Sequence, residues 1–160
     1  MRGAILPDAL LAAAFGMAVS FSKPGVQART APVLVVVALV VAMIPLSGVN
    51  DDLAFTGCWL SVLATAALVH LKGGIGPILA TLVAANDGVW AGLVTHVSHG
   101  AIALAFALPA ILTVVPGRLL VRRGWGIGVK VAASWLIAIA FLEAALVLVP
   151  TPGYKPDHMD

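Results

Sequence analysis

Apolar residues in this chain gather into six long runs, at residues 5–21, 31–46, 53–71, 76–95, 101–115 and 127–149, parted by short polar, glycine- or proline-containing segments. The hydrocarbon core of a bilayer is crossed by about 20 residues of helix, and an unpaired backbone is intolerable there. The pattern therefore predicts an all-α integral membrane protein, a polytopic bundle of six transmembrane helices that fills residues 1–160 as one domain. A five-helix bundle is the alternative, with 76–115 forming one span and a re-entrant segment, because the turn at 95–100 is short.

Punctuation agrees with these limits. Pro7 and Asp8 open the first run, where a fixed φ and a negative charge suit a helix N-terminus. Lys23 to Thr30 and Ser47 to Asp52 read as turns, and Pro77 restarts a helix after the Gly73-Gly74-Ile75-Gly76 hinge. Pro116 and Gly117 close the fifth run, and Arg118 to Gly126 reads as a basic loop with an interfacial tryptophan. Two stripes of small residues at four-residue spacing, Ala12-Gly16-Ser20 and Gly57-Ser61-Thr65, are expected to be packing faces. The first run also has a competing reading as a signal peptide, with Arg2 before it and Ala18-Val19-Ser20 as the cleavage site.

Composition makes a soluble domain untenable. Hydrophobic residues make up 61% of the chain and charged ones 10%, with a mean hydropathy of +1.09, against about 45–50% and about 25% in soluble domains. The single cysteine, Cys58, excludes an intrachain disulfide and a CxxC pair, and reads as a packing residue. A net charge of +2 gives no reason to expect a nucleic-acid partner.

Where the charges fall matters more than their sum. Lys23, Arg29, Lys72, Arg118, Arg122, Arg123 and Lys130, seven of the nine basic residues, lie on one side of a six-span arrangement, and only Arg2 and Lys155 lie on the other. Positive loops stay cytoplasmic, so both termini are expected on the non-cytoplasmic side of the cell membrane. Asp8, Asp51, Asp52, Asp157 and Asp160 then fall on the outer side, with His96, His99 and His158. Such a surface would raise the local concentration of cations.

Candidate chemistry centres on Asn86-Asp87-Gly88, in the middle of the fourth run. A charge near mid-bilayer costs at least about 2.5–3.5 kcal/mol on the most lenient scale. Glu143 is the second deep acid. Counted from the outer helix ends, Asp87 lies about 13 Å deep and Glu143 about 10 Å, so the two share a level of the bundle and would compete to stay ionised if they met. Neutralisation by a neighbouring helix is the other reading: Asn86 or Ser61 for Asp87, Ser134 or Trp135 for Glu143. The Asn-Asp-Gly triplet is also a place where the helix could be broken, as in transporter sites.

Other constellations are thinner. His96 and His99, with Asp51 and Asp52, have the spacing and side to hold a divalent transition metal if their loops meet; solvated surface histidines are the plainer account. Haem needs two histidines at one depth, and His70 is at the opposite side from His96 and His99. Arg118, Arg122 and Arg123 suit anionic headgroups or a docking partner. HExxH, GxSxG and phosphate-binding loops are absent, so no enzyme is indicated.

Two functions remain. One is a small transporter or channel component for a cation, or a proton-coupled one, with Asp87, Asn86 and Glu143 as its intramembrane site. The other is a non-transporting anchor, assembly or scaffold subunit of a larger membrane complex. A lipid-modifying enzyme is a distant third. Either main reading implies a homo-oligomer or other membrane subunits around a chain this small.

Overall fold

The computed structural model describes residues 5–98 and 108–148, which form six α-helices and one short 3₁₀ helix, with no strand among them. The helices are α1 (Ile5–Ser20), α2 (Pro24–Met43), α3 (Asp51–Leu68), α4 (Pro77–Val97), α5 (Val114–Arg122) and α6 (Gly126–Leu148), with the 3₁₀ helix Leu108–Thr113 before α5. Three segments are long and apolar enough to cross a membrane, Gly25–Met43, Pro77–Val97 and Gly126–Leu146, and Leu6–Ser20 is a shorter apolar helix.

The boundaries differ from the predicted ones in two places. Lys23 to Thr30, read as a turn, contributes the first turns of α2: Pro24 occupies the first helical position, where its missing N–H costs nothing. Pro116 and Gly117, read as the end of the fifth run, lie inside α5, so Arg118 and Arg122 are helical. Pro116 is in the first turn of α5, where no intrahelical bond is lost. Residues 101–107 of the predicted fifth span lie outside the described residues.

α1 is the central element. It packs on α3, α4, α5 and the 3₁₀ helix, while α2 packs chiefly on α4, and α6 chiefly on α3. Small residues set these distances, as expected where lipid supplies no hydrophobic drive. A Cβ added at Gly88 would meet the Leu34 carbonyl oxygen at 2.7 Å, and one at Gly92 would meet the Ala38 carbonyl oxygen at the same 2.7 Å. Gly88-x-x-x-Gly92 is thus the seam between α4 and α2. The two predicted stripes are also seams: Gly16 faces Thr113, Ser20 faces Gly117, and Trp90 covers Gly57.

The exterior is apolar. Val36, Val40 and Met43 on α2, and Ile127, Trp135 and Phe141 on α6, are all exposed, Met43 at 81% and Trp135 at 70%. Apolar surface of this extent fits contact with lipid. Polar links mark the two ends. At one, Ser22 donates to the Ile75 carbonyl at 2.8 Å, Arg118 reaches Gln27 at 3.5 Å, and the Lys130 ammonium sits 5.9 Å from the Phe21 ring centre. At the other, His96 Nε2 lies 3.1 Å from the Leu46 carbonyl oxygen. Lys23, Arg118 and Lys130 therefore share an end, away from Leu46 and His96.

Candidate functional site

α4 runs unbroken through Asn86-Asp87-Gly88, which corrects the expectation of a helix break. Gly88 serves close packing on α2, and Asp87, one residue round the helix, faces α3 instead. Ala84 and Ala91, a turn to either side of Asp87, are fully or nearly fully buried. Their short side chains let the neighbouring helices close over the acid, which has no exposed surface.

Within this enclosure the carboxyl is held entirely by neutral groups. Ser61 donates to Oδ1 at 2.7 Å, and the Thr65 hydroxyl lies 3.0 Å from both Oδ1 and Oδ2. Asn86 Nδ2 donates to Oδ1 at 3.2 Å and also makes a short hydrogen bond to Ser61 Oγ. The four-residue spacing of Ser61 and Thr65 puts both hydroxyls on one face of α3. That stripe was expected to be packing alone. Its hydroxyls instead complete the site, and the signal in the sequence was that two of its three small residues carry an oxygen.

Glu143 does not join this group. α6 is separated from α4 by α3, on which both pack, and Glu143 is half-buried on α6. Its suggested neighbour Ser134 donates to the Lys130 carbonyl at 3.0 Å and lies 3.4 Å from His70. Residue counting left their facing undecided; α6 packs chiefly on α3, and no hydrogen bond of the Asp87 group among the described residues comes from α6.

The outer constellation is partly described. Asn50 caps α3 by accepting from the Asp52 N–H at 2.8 Å, and Asp51 and Asp52 occupy the exposed first turn, where acids suit the helix dipole. His96, through Leu46, brings the end of α4 to the segment before α3. His99 lies outside the described residues, as do His158, Asp157, Asp160, Arg2 and Lys155. Among the described residues no group of three or more His, Cys, Asp or Glu side chains converges as a metal site.

Asp8 breaks the predicted pattern. It belongs to the first turn of α1, but it is only 2% exposed, inside the bundle instead of at its rim. Its Oδ2 accepts from Thr95 at 3.1 Å, and its Oδ1 is buried with no hydrogen-bond partner among the described residues. Cys58 is fully buried on α3.

At the opposite end, basic side chains line two clefts. Arg118 and Arg122 border one of about 290 Å³ with Gln27, and Lys23 and Arg29 border another with Thr30 and Thr81. Arg123 is the C-cap residue of α5.

The chain matches no family model, no curated protein and no solved structure. The site must therefore be read from its own chemistry: a deep carboxyl, neutral donors around it, and oxygen atoms with lone pairs to spare.

Proposed function

We propose that the protein is a small multi-pass membrane carrier of a monovalent cation or proton, with Asp87 as its central binding group. One observation carries this reading: a carboxyl with no exposed surface whose hydrogen-bond partners, Ser61, Thr65 and Asn86, are all uncharged. A negative charge buried in low dielectric needs a compensating positive charge. With no basic side chain bonded to it among the described residues, a bound proton or cation supplies it. Carboxylate and hydroxyl oxygens are hard donors, which suit such an ion better than a soft metal.

The enclosure of Asp87 corresponds in this reading to an occluded state, and release requires α4 to part from α3. The α1–α3–α4 seam is the moving part, and the Gly88–Gly92 seam holds α2 and α4 together as one body. All six predicted spans belong to this proposal. So do the outward termini and the cell-membrane location, with the Lys23, Arg118 and Lys130 end in the cytoplasm under the positive-inside rule. Self-association or union with other membrane subunits would cover the exposed faces of α2 and α6.

A scaffold or assembly subunit is the second reading. The clefts edged by Arg118 and Arg122 and by Lys23 and Arg29 favour it, because an acidic partner segment or anionic headgroup would fit them. Asp87 would then be a structural link between α3 and α4.

The deciding experiment is reconstitution into liposomes with flux assays for protons and alkali cations. Wild type is expected to carry one of them and Asp87→Asn to lose it. Equal flux in wild type and Asp87→Asn removes the carrier reading.

A further inference from the structure

The seam where α1, α3 and α4 meet carries more polar groups than Asp87 uses. On α4, Asp87, Ala91 and Thr95 follow at four-residue spacing, and all are buried. On α3, Cys58, Ser61 and Thr65 share a buried face. Thr95 stands about 12 Å along α4 from Asp87 at the helical rise, and it holds Asp8 of α1. The polar groups thus form a row, from Asp8 and Thr95 near one end of the bundle to Asp87 further in.

Asp8 is the member of this row that packing and capping do not explain. An acid complements a helix N-terminus from the surface, with no need for burial. Here the side chain is 98% buried, and one carboxyl oxygen has no donor among the described residues. Leaving such an atom unpaired costs about 1–3 kcal/mol, and native proteins keep such atoms where a ligand, ion or water completes them. One turn beyond Thr95, the Ser98 hydroxyl oxygen is also buried and unpartnered. The nearby donors are oxygens and the formal charge of the carboxylate is single, which selects a hard monovalent cation, Na⁺ or the proton.

We propose that Asp8, held by Thr95, is a second binding station for a hard monovalent cation, the outer step on the route to Asp87. It rests on the reading of Asp87 as the central station. Thr95 of α4 is the one side chain that hydrogen-bonds Asp8 among the described residues, and His96, one residue on, is turned to the Leu46 carbonyl.

The test uses the full chain in nanodiscs of zwitterionic lipid. Thermal unfolding is followed in Na⁺ against choline at fixed ionic strength, and infrared spectra are recorded for protonated carboxyl bands. A saturable Na⁺-dependent stabilisation that Asp8→Asn abolishes identifies Na⁺ as the occupant. A protonated carboxyl band that Asp8→Asn removes identifies the proton. Thr95→Val keeps the carboxyl and is expected to weaken Na⁺ binding about tenfold or to shift that band; should Asp8→Asn not fold, this variant decides alone. Either signal should survive in Asp87→Asn, which separates the two stations. Unaltered Na⁺ response and bands in Asp8→Asn, or in Thr95→Val when it decides alone, overturn the proposal. Flux that persists in Asp87→Asn defeats the parent reading while occupancy at Asp8 remains measurable.

Discussion

Asp87 and Glu143 were expected at similar depth from residue counting, yet their surroundings have little in common. Asp87 is sealed between α4 and α3 and held by three neutral side chains. Glu143 is half-buried on α6, a helix whose other faces show Trp135, Phe141 and Leu142 to the exterior. Depth follows from counting residues at a fixed rise. Facing depends on which helix lies across from which, and here α3 separates α6 from α4. An acid becomes a site when its neighbours supply donors without supplying a charge.

The largest effect that would break this contrast is on transport. Asp87→Asn is expected to reduce flux in liposomes at least about 100-fold, equivalent to about 2.7 kcal/mol, while Glu143→Gln stays within about twofold of wild type. Equal losses in the two variants would erase the distinction. Next comes packing: Gly88→Leu should drive a side chain into the Leu34 carbonyl and Val37, at a cost of about 1–3 kcal/mol, read as a lower midpoint in detergent unfolding. Gly128→Leu, where a Cβ meets nothing within 4 Å, should leave the midpoint unchanged.

A smaller effect sharpens the site itself. Ser61→Ala removes a donor at 2.7 Å from Asp87 and is expected to cost about 1–3 kcal/mol of stability or a comparable share of ion affinity. Ser134→Ala, on an exposed residue, should fall within about 0.5 kcal/mol of wild type. The smallest expected change concerns the far end. Replacing Arg118 and Arg122 with Gln should leave flux intact and weaken retention of anionic lipid in native mass spectrometry, and complete loss of a co-purifying subunit would favour the scaffold reading.

Parts of the site were legible before any fold was known. Asp87 stood out because an acid in a long apolar run is costly, and Ser61 was already a candidate partner. Thr65 was not, because its place depends on the azimuth of α3 against α4. Gly88 was misassigned for a related reason: glycine weakens an isolated helix, but against Leu34 and Val37 its missing side chain is what allows contact. Asp8 was placed at the rim by its position near a helix start, yet α1 sits at the centre of the bundle and carries it inside.

The sequence by itself determined the helical class and the apolar character of the exterior, and it singled out Asp87 as a costly acid in an apolar run. Those properties follow from local composition. Only the tertiary structure decided that Ser61 and Thr65 serve Asp87, that Glu143 stands apart, that Gly88 and Gly92 are a seam and that Asp8 is buried. Each of these depends on rotation about a helix axis and on the identity of the neighbour, which residue order along one helix does not fix.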